Sequence, residues 1–304
     1  MIPYIHVAVL KIGPITIHPF GVLVALGVWT GLALATRRAR ALGMDLQRLN
    51  SFAAFVLVGG FVGGHVLDEL FYHPTEIARV VDGHFALTRP WTLLFLWEGL
   101  SSFGGFIGAL CGALVWRFYE LKPSIAVGPI ELRWFHRRAK NEMILALCDL
   151  VLSVFPIAWI FGRAGCTIVH DHPGALAPAN SIFAVAYPDE MPTFHGVVDF
   201  IRGSVPRYDL GLLELMFTLV LAGIVAMTWH RRLPVGSYVV FVSLAYAPVR
   251  FALDFLRIRQ GAEADPRYAS LTPAQWACIA LALFALGMLA FLKTSRETAS
   301  TVQP

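Results

Sequence analysis

About seven stretches of this chain run for roughly 20 residues almost without charge, the length an α-helix needs to cross the ~30 Å hydrocarbon core of a bilayer. They lie near 20–36, 52–72, 100–119 and 144–161, then near 212–229, 236–256 and 273–292. A soluble fold does not carry so much apolar sequence: the composition is 57% hydrophobic and only 14% charged, against roughly 25% charged in soluble domains. The expected fold is all-α, a polytopic membrane protein with about seven transmembrane helices forming a single integral-membrane domain over 1–304.

Basic residues choose the orientation. The gaps after the first, third, fifth and seventh stretches hold about fourteen Arg and Lys, among them Arg37, Arg38, Arg133, Arg137, Arg231 and Lys293, against about eight on the other side. The positive-inside rule then places the N-terminus outside and the C-terminus in the cytosol. It also absorbs the formal net charge of +4, which in a soluble domain would point to nucleic acid; no nucleic-acid partner is expected. Two long segments, 74–97 and 165–208, fall on the external side and mix aromatics, prolines and charges. They are expected to form an external-side cap of loops and short interfacial helices.

Cys111, Cys148, Cys166 and Cys278 show no CxxC pairing and no zinc spacing, so neither a disulfide framework nor a metal site is expected. The first ten residues lack the basic start of a secretory signal, and the first apolar stretch is expected to remain as a span. No internal repeat is visible, which argues against the inverted-repeat plan of secondary transporters.

An ionisable side chain in lipid costs on the order of 2.5–3.5 kcal/mol on insertion scales, so each one marks a buried pair or a site. The chain places His65, Asp68 and Glu69 in the second stretch, Asp149 in the fourth with Arg163 at its end, Glu214 in the fifth, and Arg250 and Asp254 in the sixth. Tyr246, Arg250, Asp254 and Arg257 follow at intervals of four, four and three and share one helix face. Two readings of that stripe are open: an internal Arg250–Asp254 pair that neutralises itself, or a clamp in which the guanidinium grips an anion such as phosphate bidentately.

The densest chemistry lies where the fourth stretch meets the external face: Gly162, Arg163, Ala164, Gly165 and Cys166, then His170, Asp171, His172, Pro173 and Gly174. Arg163 fits a snorkelling cap at a helix end or a second anion-binding charge. His170, Asp171 and His172 fit a solvated loop, or a metal cluster that would draw its remaining ligands from His65, Asp68 or Glu69. Cys166 fits an apolar filler or, beside Arg163, a stabilised thiolate. Gly59, Gly60, Gly63 and Gly64, with Gly104, Gly105 and Gly108, permit close approach of helices.

Taken in order, several blocks resemble the bacterial prolipoprotein diacylglyceryl transferases from Pro14 to about Arg257. Pro14-Ile15-Thr16-Ile17-His18-Pro19-Phe20-Gly21 is similar to the family's opening. Trp97-Glu98-Gly99-Leu100-Ser101-Ser102-Phe103-Gly104-Gly105 is similar to its glycine-rich block, Gly162-Arg163-Ala164-Gly165 to the start of its GRxGN motif, and the stretch from Tyr246 to Arg257 to its YGxxRFxxEFxR. The resemblance implies that Arg163 and Arg250 are a phosphate-holding pair. It places Asp171 and Asp254 at acidic positions of the family and Gly174 at a glycine, and it makes Gly104, Gly105, Gly174, Tyr246 and Asp254 candidates for substrate binding. The pattern departs at Phe103, which stands for a histidine, at Phe20 for a tyrosine, Cys166 for an asparagine, His65 for an arginine, and Leu210-Gly211 for what looks like a Tyr-Glu pair. Phe103 cannot take a proton, which leaves His170 or His172, followed by Asp171, as the base.

What the resemblance implies is transfer of the diacylglyceryl group of phosphatidylglycerol to the lipobox cysteine of a preprolipoprotein, with glycerol phosphate leaving. The protein would be a multi-pass component of the bacterial cytoplasmic (inner) membrane. Its partners would be phosphatidylglycerol, preprolipoprotein lipobox segments and membrane lipids, with no cofactor. The alternatives are a related transferase with a different lipid donor or acceptor, and a noncatalytic lipid-binding paralogue.

Overall fold

The computed structural model describes residues 1–13, 15–81, 84–87, 89–94, 99–127, 130–140, 142–189, 197–201, 203–259 and 264–301. Pro14, Trp97 and Glu98 of the blocks named above lie outside the described residues. Packing divides the chain, expected to be one domain over 1–304, into two compact units: Met1–Arg38 with Asp149–Pro304, and Ala39–Cys148.

The first unit opens with strand β1 (Ile2–Val7), the hairpin of β2 (Leu10–Ile12) and β3 (Ile15–Ile17), and helix α1 (Pro19–Ala41). The second unit holds α2 (Leu46–Phe71), the one-turn α3 (Pro74–Ile77), the hairpin of β4 (Ala78–Val81) and β5 (His84–Leu87), α4 (Ser102–Phe118), and the hairpin of β6 (Tyr119–Val127) and β7 (Ile130–Arg137). Side chains close its helix starts: Asp45 accepts from the Gln47 N–H at 2.8 Å, and Ser101 from the Gly104 N–H at 3.0 Å. Glycines let α2 and α4 meet backbone to backbone, since a Cβ on Gly63 would stand 2.5 Å from Gly108 Cα and one on Gly104 would collide with the Gly63 carbonyl oxygen.

The chain then returns to the first unit. Helices α5 (Leu145–Leu152) and α6 (Phe155–Val169) form a pair bent by 52°. Pro156 lies at the start of α6, where it offers no N–H to prolong α5 and its ring excludes a straight continuation. Strands β8 (Pro173–Leu176), β9 (Ala184–Tyr187), β10 (Val198–Ile201) and β11 (Val205–Asp209) follow, then α7 (Leu210–Met227), α8 (Ser237–Leu253) with a 3₁₀ turn over Asp254–Leu256, and α9 (Pro273–Thr301).

Among the described residues, five helices are long and apolar enough to cross a membrane: Pro19–Ala41, Leu46–Phe71, Leu210–Met227, Ser237–Leu256 and Pro273–Thr294; the bent α5–α6 pair, taken as one span, makes a sixth. The third expected span is the apolar helix α4, which at 17 residues measures about 25 Å at ~1.5 Å per residue. The fold is therefore mostly helical and suited to a multi-pass membrane protein.

It also contains a sheet that the all-α expectation lacked. The segment expected as loops and short helices instead supplies four strands, which join β1 in the order β10-β1-β9-β11-β8, parallel only between β1 and β9. Register pairs Ile2 with Val185, Tyr4 with Ile201 and Asp209 with Pro173. Each strand is a four- to six-residue run that could not form a stable pair alone. The sheet matters to function because β11 runs directly into α7 and β8 begins just beyond His172.

Candidate functional site

Small residues bring the helices of the first unit close around α6. A Cβ on Gly27 of α1 would stand 2.9 Å from the Ala158 carbonyl oxygen, one on Gly165 would stand 2.8 Å from the Phe20 ring, and one on Gly211 of α7 would stand 3.0 Å from the backbone of Cys166. Two departures from the family pattern, Phe20 and Gly211, are thus packing partners of the helix that carries Arg163.

Arg163, Glu214 and Arg250 come from α6, α7 and α8 and are all nearly sealed from solvent. Glu214 lies between the two cations: its Oε1 is 3.0 Å from Arg163 Nε and its Oε2 is 3.5 Å from Arg250 Nε. Tyr246, one turn before Arg250 on α8, donates its hydroxyl to Glu214 Oε1 at 2.6 Å. The Arg163 Nε–H is not aimed along the line to the carboxylate, and among the described residues it has no hydrogen-bond acceptor. The Arg163 guanidinium lies 4.7 Å from the centre of the Trp159 ring, which holds it by cation–π attraction, and Nη1 donates to Cys166 Sγ at 3.7 Å.

A second carboxylate backs the first. Arg250 Nη1 and the Thr272 hydroxyl donate to Asp254, Arg257 Nε donates to the same carboxylate at 3.0 Å, and Arg257 Nη1 pairs with Asp265. Arg163, Arg250 and Arg257 are matched by Glu214, Asp254 and Asp265, so the buried cluster carries no excess charge. The first reading of the α8 stripe, the internal pair, is present in the structure. Arg250 pairs with Asp254 one turn on, and it also reaches across to the carboxylate that faces Arg163.

His170 has a different setting. It ends α6 in the left-handed conformation (φ 50°), Nδ1 lies 2.5 Å from Asp209 Oδ2, Nε2 lies 3.0 Å from the Ile5 carbonyl oxygen, and the ring stacks on Tyr4 with centroids 3.8 Å apart. Asp209 also accepts the Tyr187 hydroxyl at 2.9 Å and caps α7 through the Leu212 N–H at 2.9 Å. Burial, then the Asp209 carboxylate, raises the hydroxyl pKa values of Tyr4 and Tyr187. Both neighbours of the imidazole nitrogens are acceptors, so His170 serves as a junction between the sheet and the ends of α6 and α7. That use leaves no ring nitrogen turned toward an incoming thiol.

Asp171 and His172 face the opening instead. With Pro173, Arg257, Ile258 and Asp265 they line a pocket of about 270 Å³. Burial pushes the Asp171 carboxyl up to about 6, against the pull of the Arg163 guanidinium, although 37% of the side chain is open and water at the mouth moderates the shift. Burial, followed by the positive charges of Arg257, Arg163 and Arg250, pushes the His172 ring down to about 3. Its Nδ1 lies 2.8 Å from the Asp171 carbonyl oxygen. Cys166, Asp171 and His172 each place one potential ligand atom within 4.8 Å of the others.

The structure therefore gathers Arg163, Arg250, Tyr246 and Asp254 into one centre and sets Asp171 and His172 at the pocket mouth of the same unit. Gly174 is held by close packing, since a Cβ there would stand 2.7 Å from the Tyr208 carbonyl oxygen and 2.9 Å from that of Leu256. Gly104 and Gly105 belong to the other unit; Gly104 packs on Gly63, whereas Gly105 has ordinary room, since a Cβ there would stand 3.7 Å from the Gly60 carbonyl oxygen. His65, in that unit too, is fully buried with Nε2 2.9 Å from the Thr92 carbonyl oxygen. Two residues that sequence reasoning left without a role are central here: Glu214, legible as a charge within a span, and Asp209, which carried no signal beyond preceding an apolar run.

A family model described as prolipoprotein diacylglyceryl transferase matches residues 7–291 of this chain. Among curated proteins named phosphatidylglycerol–prolipoprotein diacylglyceryl transferase, that of Nitratidesulfovibrio vulgaris is 27% identical, the match covering 96% of this chain and 94% of the relative. Relatives of the same name from Pseudomonas putida and Polynucleobacter asymbioticus are each 26% identical, covering 98% and 97% of this chain and 99% and 98% of their own lengths.

Proposed function

The chain belongs to the prolipoprotein diacylglyceryl transferase family, and on that premise we propose that it transfers the diacylglyceryl group of phosphatidylglycerol to the lipobox cysteine of preprolipoproteins, releasing glycerol phosphate. The observation that carries this reading is the convergence of Arg163 and Arg250 on Glu214. Glu214 and Tyr246 hold the two guanidiniums close together before substrate arrives, so that both positive charges can meet one phosphate. As the glyceryl C–O bond breaks, the departing phosphate gains negative charge, and fixed cations in a dry site stabilise that charge more than they would in water. The acceptor thiol must lose its proton. With His170 engaged between Asp209 and Ile5, the groups left at the pocket for that task are Asp171 and His172.

The chain acts as one multi-pass domain of the bacterial inner membrane, with about seven spans once α4 and the bent α5–α6 pair are each counted as crossing. The sheet and the pocket lie on the external side with the N-terminus, where lipobox segments emerge, and the C-terminus is cytosolic. A reading without chemistry, in which the protein only binds lipid, draws on Phe103 in place of the family's histidine. Expression in a bacterium depleted of its own diacylglyceryl transferase separates the two. Restored growth and lipoprotein maturation support the transferase; a folded, membrane-inserted protein that restores neither supports the lipid binder.

A further inference from the structure

The regular turns of α8 end at Leu253, and Asp254, the carboxylate that holds Arg250, stands in the 3₁₀ turn beyond. Its orientation is set from α9. Arg250 Nη1 and Arg257 Nε both bind Asp254 Oδ1, and the Thr272 hydroxyl donates to Oδ2. We propose that Thr272 is a positioning residue for the transfer: through Asp254, its hydroxyl fixes the direction of the Arg250 guanidinium that receives the departing phosphate.

The inference deepens the transferase reading and rests on it. A carboxylate held by cations at one oxygen can turn about its Cβ–Cγ bond, a broad and roughly two-fold torsion. A donor on the second oxygen stops that rotation, and Thr272 is itself held at both its hydroxyl and its N–H. The Gln275 N–H donates to Thr272 Oγ1 at 3.1 Å, the Thr272 N–H donates to Gln275 Oε1 at 3.0 Å, and Gln275 Nε2 donates to the Phe251 carbonyl oxygen of α8 at 3.2 Å. This reciprocal capping box starts α9 and ties it to α8. The Gln275 N–H occupies a lone pair of the Thr272 oxygen, so the hydroxyl proton is free to bind the ionised Asp254, which can only accept. Thr272, Gln275 and Asp254 are all sealed from solvent, where bulk water does not replace a lost donor.

The chain accepts backbone strain to bring Thr272 there. Tyr268 and Leu271 exchange both backbone hydrogen bonds around Ala269 and Ser270, which stand at φ 49° and 68°. Two positive φ values are what a two-residue type I′ turn requires; Asn and Gly adopt them readily, whereas Ala and Ser do so at a cost. Trp276 Nε1 donates to the Tyr268 carbonyl oxygen at 2.8 Å and braces the turn from α9. Strained backbone persists only where its surroundings over-determine it, and such segments cluster at functional sites. This turn ends at the residue before Thr272.

The test measures diacylglyceryl transfer by the full-length protein in detergent, with each rate normalised to folded protein by thermal melting. Thr272→Val keeps the shape and loses the hydroxyl; it should lower kcat on the order of 10²-fold, the effect of a misplacement of about 1 Å, with KM for phosphatidylglycerol nearly unchanged. Thr272→Ser should work at a rate close to wild type. Thr272→Ala should fall below Thr272→Ser by the same factor, which gives a second deletion of the hydroxyl in a smaller side chain. Ser270→Gly relieves one positive-φ residue, so it should raise the melting temperature without changing the rate, and it supplies a stabilised background for Thr272→Val. Action through Arg250 is read from a double-mutant cycle: in Arg250→Lys, Thr272→Val should cost less than about threefold more, since the group it positions is already gone. Hydroxyl deletions that leave kcat per folded molecule unchanged, or a loss fully additive with Arg250→Lys, overturn the positioning role and leave the transferase reading intact. No transfer by the wild-type protein overturns the transferase reading, and the positioning role with it.

Discussion

Arg163 on α6 and Glu214 on α7 stand 3.0 Å apart with almost no solvent exposure. The carboxylate also faces Arg250, so a single anion holds two like charges in one place. An arrangement of this kind is not a source of net stability in itself, because desolvation offsets much of the attraction, yet breaking it leaves an uncompensated buried charge.

Glu214→Gln should therefore lower stability by roughly 3–5 kcal/mol, read from thermal or denaturant unfolding in detergent. Removing one of the cations as well, in Glu214→Gln with Arg163→Gln, should recover part of the loss, since residues in one network are not additive. A Glu214→Gln protein that melts like wild type would contradict the shared-carboxylate account.

Charge-preserving substitutions test the clamp. Arg163→Lys and Arg250→Lys retain the positive charge and lose the planar fork, and each should reduce turnover on the order of 10²–10³-fold, the loss typical of one missing transition-state donor. Turnover with phosphatidylglycerol at saturating peptide is the measurement. Near-normal rates in both variants would show that charge alone suffices.

The two histidines should behave differently. His170→Ala leaves the buried Asp209 carboxylate short of a partner, so it should cost about 1–3 kcal/mol of stability, whereas the rate per folded molecule should change by less than about tenfold. Asp171→Asn should do the reverse, lowering turnover on the order of 10²–10⁴-fold with little change in melting. Rates normalised to folded protein decide it: a catalytic loss in His170→Ala as large as that in Asp171→Asn would return His170 to the chemistry.

The helices were legible because a charge-free run of some 20 residues is a local property, and the stripe from Tyr246 to Arg257 was legible because helical spacing of four and three needs no knowledge of the fold. Glu214 was recognisable only as a charge that lipid would reject; its partner Arg163 sits on another helix, and nothing in either local sequence connects them. The sheet was hidden for the same reason, with Ile2 paired to Val185 across most of the chain. His170 offered the same side chain as His172 in a His-Asp-His run, and the difference between a junction and a pocket residue came from Asp209, 39 positions away. The family resemblance located the arginines and could not say what replaces an imidazole at Phe103.

Topology gives a further expectation. Single cysteines at Ser300 and Ile182, in a protein freed of its own reactive thiols, should label from opposite sides: Ser300 from the cytosol and Ile182, which is 73% exposed beyond β8, from the exterior. Labelling of both from one side would require an even number of spans between them and would remove the external placement of the pocket.

The most direct measurement is transfer by the purified full-length protein from phosphatidylglycerol labelled in its acyl chains to a synthetic lipobox peptide, followed by mass spectrometry of the peptide and assay of free glycerol phosphate. The account predicts a diacylglyceryl thioether on the peptide cysteine, with one glycerol phosphate released per peptide modified, and loss of both products in Arg163→Lys. Lipid that binds and stays intact, with the peptide unmodified, would contradict it.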